Sequence, residues 1–126
     1  MDKNTEAKNI VYSLMGREGY YKIPRIVITH FESLAVAGLL SAFIYKMEHC
    51  QIKGWLREEK WFYYTREDIE KELFLSEYEQ RKIIKILEES ELVSTIIFPK
   101  SMPQRKYYTV NFDRLVQILS KENSII

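Results

Sequence analysis

The chain has 126 residues, a length at which a single hydrophobic core is the usual arrangement. A hydrophobic content of 46% excludes a disordered chain, and a net charge of +1 argues against a protein that coats nucleic acid over its whole surface. Cys50 is the only cysteine, so an intramolecular disulfide is impossible.

The N-terminal residues Met1 to Glu6 are polar and carry no signal-peptide apolar region. Asn9 to Met15 can form a short helix, which Gly16 and Gly19 then close. Tyr20 to Ile28 is aromatic and β-branched and is expected to be extended, confined by Pro24 to an edge or arm. Thr29 and Glu32 have capping-box spacing, and a helix apolar on nearly all sides is expected from Leu34 to about Met47. The apolar stretch Ser33 to Tyr45 is too short for a membrane span, so a cytoplasmic protein without membrane contact is expected. His49 to Lys60 reads as a loop, with Trp55 and Leu56 as candidates to tuck inward, and Trp61 to Tyr64 reads as a short strand.

Two capped helices follow. Thr65 with Asp68 opens one, with Ile69, Leu73 and Phe74 on its inner face, and Ser76 with Glu79 opens the next, which runs to about Glu89. The joint at Phe74-Leu75-Ser76 has the length of a helix-turn-helix corner. Leu92 to Phe98, a turn at Pro99 to Pro103 and Gln104 to Val110 make a hairpin. Asn111 or Asp113 can cap a last helix carrying Leu115, Val116, Ile118 and Leu119. The expected division is an N-terminal arm at 1–28, a domain at 29–120 and a tail at 121–126.

The second of the paired helices has two faces. At 100° per residue Gln80, Ile83, Ile84 and Leu87 gather on one side, and Tyr78, Arg81, Lys82 and Lys85 on the other. A helix anchored on one side and cationic on the other suits the major groove of duplex DNA. Arg81, central on that stripe, is the expected base reader, and Tyr78 can meet a thymine methyl or a phosphate. Lys82 and Lys85 are expected on the backbone. The competing reading is a solvated face, with Arg81 paired to Glu77 and Lys85 to Glu89 within the helix. Between Val93 and Phe112 the charged residues are Lys100, Arg105 and Lys106, with no acid, so the hairpin is a second phosphate-binding candidate. Alternatively, those cations guard a strand edge against pairing.

This order of elements resembles the winged-helix family over roughly Thr29 to Ser120. The stretches Trp61-Phe62-Tyr63-Tyr64-Thr65, Leu75-Ser76-Glu77-Tyr78-Glu79-Gln80-Arg81 and Tyr107-Tyr108-Thr109-Val110-Asn111-Phe112 look like phage and plasmid replication proteins. DnaD-type initiators are similar. The resemblance implies an α+β, mainly α fold, a winged helix-turn-helix with a two-stranded wing and an extra C-terminal helix. It also implies dimeric binding of duplex DNA through Tyr78 to Lys85 and Lys100 to Lys106. The expected function is duplex DNA binding as a transcriptional regulator or replication-initiation factor, as a homodimer and with partners in the replication or transcription machinery. The alternative is a winged-helix module that grips protein.

Catalytic and metal chemistry is not expected. His30, His49 and Cys50 do not make a zinc set, the four glycines are scattered, and Glu58-Glu59 and Glu88-Glu89 read as solvated pairs. Neither enzyme activity nor a cofactor is expected from these residues.

Overall fold

The element around which the others assemble is a helix whose buried residues Val36, Leu39, Leu40 and Phe43 recur at i, i+3, i+4 and i+7. In the computed structural model, which describes residues 5–10, 21–98 and 105–123, this helix is α3, Leu34–Lys53. Ser33, not Thr29, caps it: the Ser33 hydroxyl accepts from the Val36 N–H at 3.2 Å. The helix also continues six residues beyond Met47. Its last turns are polar toward solvent but are held by buried Cys50, and Gly54 ends it in the left-handed region at φ 73°. The loop expected from His49 is therefore helix as far as Lys53. Beyond it, Leu56 is half-buried against the core, whereas Trp55 is 65% exposed and does not tuck inward.

Residues 5–10 are helical (α1) and include Asn9 and Ile10 of the helix expected from Asn9 to Met15; 11–20 lie outside the described residues. The segment expected to be extended is instead divided. Residues 21–24 are non-helical, and Arg25–Phe31 form α2, with Pro24 as N-cap and Glu32 as its left-handed C-cap. Thr29 thus lies inside a helix rather than opening one. The local β preference of Ile26, Val27 and Ile28 is overridden by packing. Val27 is buried in the core, while Ile26, Ile28 and Phe31 pack against it.

After α3 come β1 (Phe62–Tyr63), α4 (Arg66–Leu73), α5 (Glu77–Glu89), β2 (Val93–Ile97), β3 (Lys106–Val110) and α6 (Phe112–Asn123). The described elements make an α+β structure that is mainly helical. β2 and β3 pair antiparallel from Val93↔Val110 to Ile97↔Lys106, and β1 pairs with the other edge of β3 through Phe62↔Tyr108 and Tyr63↔Tyr107. The expected two-stranded hairpin is accordingly part of a three-stranded sheet in the order β1-β3-β2. Residues 99–104, the expected hairpin turn with Lys100, lie outside the described residues.

The expected caps at Thr65, Ser76 and Asn111 are present. Thr65 Oγ1 accepts from Asp68 N–H at 2.9 Å, Ser76 and Glu79 form a reciprocal capping box, and Asn111 Oδ1 accepts from Arg114 N–H at 3.1 Å. In α6, Ile118 is buried, Leu115 and Leu119 are half-buried and Val116 faces outward. Among the described residues no helix is long and apolar enough to cross a membrane.

Candidate nucleic-acid interface

The orientation of α5 is set by one polar side chain on its inner face. Gln80 is buried among apolar residues, and its Nε2 donates to the Arg66 carbonyl at 3.1 Å and to the Leu75 carbonyl at 2.8 Å. Those carbonyls belong to the start of α4 and to the corner between the helices, so a single amide ties three segments together. Its removal takes the donor from two part-buried hydrogen bonds. Gln80→Ala is expected to cost about 1–3 kcal/mol of stability, read as a lowered urea midpoint; an unshifted midpoint would mean that the two bonds contribute nothing net.

The rest of the inner face is Ile83 and Leu87, both buried, and Ile84, half-buried. Tyr78, Arg81, Lys82 and Lys85 are all exposed, as the helical spacing requires. The two acids in the first turn of α5 are engaged elsewhere. Glu77 pairs with Arg66 at 2.8 Å across the corner, and Glu79 is turned back onto Ser76. Among the described residues Arg81, Lys82 and Lys85 have no salt bridge, so the intrahelical pairs Glu77–Arg81 and Lys85–Glu89 are not formed. Lys82 does place its Nζ over the Tyr78 ring, 5.6 Å from the centroid, which aligns the ammonium along the helix surface.

A groove of about 320 Å³ runs between α5, the start of α4 and β3. Arg66, Arg81, Arg105 and Lys106 line it, with Tyr63 and Ile84 on its walls. It brings Arg81 of α5 together with two of the hairpin cations, although 24 positions separate Arg81 from Arg105. Arg66 is committed to Glu77 and, at 3.4 Å, to Glu67. Glu67 and Glu77, the two partners of Arg66, line the groove as well, so four cations and two acids leave it net positive, with Arg81, Arg105 and Lys106 outside any salt bridge among the described residues. Arg105 is held with its guanidinium over the Tyr63 ring, 4.9 Å from the centroid, a cation–π contact that does not cancel its charge. Tyr78, Lys82 and Lys85 do not line the groove; they stand on the outer side of α5. Lys100 falls outside the described residues.

Sequence reasoning missed Arg57 and Arg66. Arg57 places its guanidinium 3.6 Å from the Phe98 ring centroid and 5.4 Å from that of Tyr107, bracing the hairpin from the turn before β1. In the sequence Arg57 is followed by Glu58 and Glu59 and Arg66 by Glu67, so local charge counting cancels both.

Two phenols report on the packing beneath the groove. The Tyr64 hydroxyl donates to the Glu72 carboxylate, which also accepts from Tyr21 at 3.3 Å. Burial, together with the Glu72 and Tyr21 hydrogen bonds, holds the Tyr64 pKa far above the ordinary range. Burial, assisted by Glu88, pushes Tyr108 up to about 12. A raised phenol pKa means that the folded chain retains a proton the unfolded chain has already released. The contribution of Tyr108 is thus complete below pH about 10 and is lost as pH rises toward about 12. Stability should fall over that window, and Tyr108→Phe should fall less steeply; urea midpoints at stepped alkaline pH are the test.

Among the described residues no cluster of His, Cys, Asp and Glu is arranged to hold a metal ion, and Cys50 is a buried free thiol.

No protein-family model matches the chain, and no curated protein matches it in sequence. A solved structure described as a Rep–DNA complex has the same fold. It superposes with a TM-score of 0.56 at 16% identity, covering 100% of this chain and 96% of the other. At that identity the likeness concerns the fold.

Proposed function

We propose that the chain is a winged-helix protein that binds duplex DNA and serves replication. α5 acts as the recognition helix, and the β2–β3 hairpin as the wing. The observation that carries this reading is the groove in which Arg81 of α5 meets Arg105, just before β3, and Lys106, its first residue, while the acids of the first turn of α5 are held by Arg66 and Ser76. A helix cation and two hairpin cations on one concave surface can engage successive phosphates, and the outward stripe of Tyr78, Lys82 and Lys85 faces the bases and the adjoining backbone. Arg81 stands at the border between groove and stripe, where its fork can reach guanine O6 and N7. Support for a replication role over transcription control comes from the fold neighbour, which is a Rep protein in complex with DNA. The role proposed here is one of binding.

A homodimer fits this reading, because paired half-sites on DNA call for a two-fold protein. A second reading, a winged-helix module gripping protein, is favoured by the exposed Ile52 and Trp55 near the end of α3. The two separate in one titration of labelled random-sequence duplex by fluorescence anisotropy, at about 50 and about 200 mM salt. Binding that weakens steeply with salt is expected, and no binding at the lower salt would end the DNA reading.

A further inference from the structure

Phe74 combines two unfavourable features. It is 87% exposed, and it stands in the left-handed region at φ 56°, ψ 34° as the C-cap of α4. Among the described residues the non-glycine positions with positive φ are Glu32, Glu58, Glu59, Phe74 and Glu91. Four are solvated glutamates; Phe74 alone is apolar. Glycine or asparagine is the ordinary occupant of such a cap, because a Cβ crowds the backbone there, and a bulky ring adds solvent exposure of apolar surface. The ring has no aromatic partner among the described residues, and the backbone around it is held without it: the Phe74 N–H donates to the Glu70 carbonyl at 2.8 Å, and neighbouring Leu75 is half-buried against the core.

The residues just after Phe74 indicate its use. Ser76 caps α5, and Tyr78, 66% exposed, stands in the first turn with Lys82 over its ring. Phe74 and Tyr78 are thus exposed rings on either side of the Ser76 cap, and the exposed cations Arg81, Lys82 and Lys85 follow along α5. A partner matched to this surface offers apolar groups next to closely spaced negative charge. The major groove of DNA does so where thymine C5-methyl groups lie between phosphate rows. We propose that Phe74 is a specificity-determining residue that covers thymine methyls ahead of the recognition helix. This inference rests on the DNA-binding reading above.

The test uses the full chain and its Phe74→Gly variant, which relieves the left-handed position instead of straining it. Both are titrated into the duplex that the wild type enriches from a randomised pool, and into the same duplex with uracil in place of every thymine. Wild type is expected to bind the uracil duplex more weakly, by roughly fourfold for each methyl covered. Phe74→Gly should lose a similar factor on the thymine duplex, the gap between the two proteins should narrow on the uracil duplex, and the variant's Tm should be no lower than wild type. Equal affinity of the two proteins for the thymine duplex, as expected if the ring serves a protein partner instead, would overturn the proposal. So would a gap of undiminished size on the uracil duplex, or a lowered Tm. If the wild type enriches no duplex, it is the DNA-binding reading itself that fails.

Discussion

Replacing Arg81, Arg105 and Lys106 together by alanine is expected to weaken binding to every duplex and to flatten its salt dependence by about 2.7 in the slope of log K against log salt. The figure is about 0.9 for each phosphate that is no longer neutralised. All three side chains are exposed and none is in a salt bridge among the described residues, so their removal leaves the core and the helix corner untouched. They also share one groove, so a duplex laid along it meets them as a set. The single variants should divide the effect. Lys85→Ala, on the outer side of α5, should weaken cognate and scrambled duplexes alike. Arg81→Ala should in addition cost about 1–3 kcal/mol of discrimination between them if its fork reads a base. A triple variant with the wild-type salt slope and unchanged circular dichroism would show that the groove does not carry phosphate.

Phe43→Ala should produce the largest loss of stability, about 3–5 kcal/mol. The Phe43 side chain is fully buried in α3, and its ring is the meeting point of three others: Phe62 of β1 at 5.5 Å, Tyr64 at 6.0 Å and Tyr108 of β3 at 4.9 Å between centroids. Truncation opens a cavity between helix and sheet that these rings cannot close without breaking the β1–β3 register. Against a total stability of about 5–15 kcal/mol for a domain of ordinary size, that loss leaves little in reserve. A urea midpoint lowered by the corresponding amount with an unchanged m value is expected. A loss below about 1 kcal/mol would mean that the sheet is not anchored on this ring. Since β3 carries Lys106 and begins beside Arg105, the same substitution should also loosen the hairpin side of the groove.

Much of the framework was legible because it depends on neighbours in the chain. The hydroxyl or amide of Thr65, Ser76 and Asn111 reaches an N–H three positions on, and the two faces of α5 arise from helical spacing alone. Where distant residues compete with local preference, the reading failed. Arg25–Phe31 has β-branched residues suited to a strand, yet it is a helix because Val27 finds its place in the core in that form. Phe74 continues the apolar spacing of α4 from Ile69 and Leu73, but the helix ends there in a left-handed cap that swings the ring into solvent. The polar end of α3 looked like a loop since buried Cys50 is a single anchor among exposed neighbours.

The charges divide along the same line. By itself the sequence determined that Tyr78, Arg81, Lys82 and Lys85 share the exposed side of a helix and that Arg105 and Lys106 sit in an acid-free hairpin, because helical periodicity and charge content are local quantities. It could not decide whether Arg81 is neutralised by Glu77, four residues away. The tertiary structure decided that: the corner between α4 and α5, pinned by Gln80, brings Arg66 within 2.8 Å of Glu77 across 11 positions of chain. The pairing of β1 with β3 likewise joins segments that no local pattern links, and it places Tyr63 under Arg105 and closes the groove beside Arg81. Charge type and helical face are properties of a few consecutive residues, whereas the partner of a charge is selected by which backbones the core brings together.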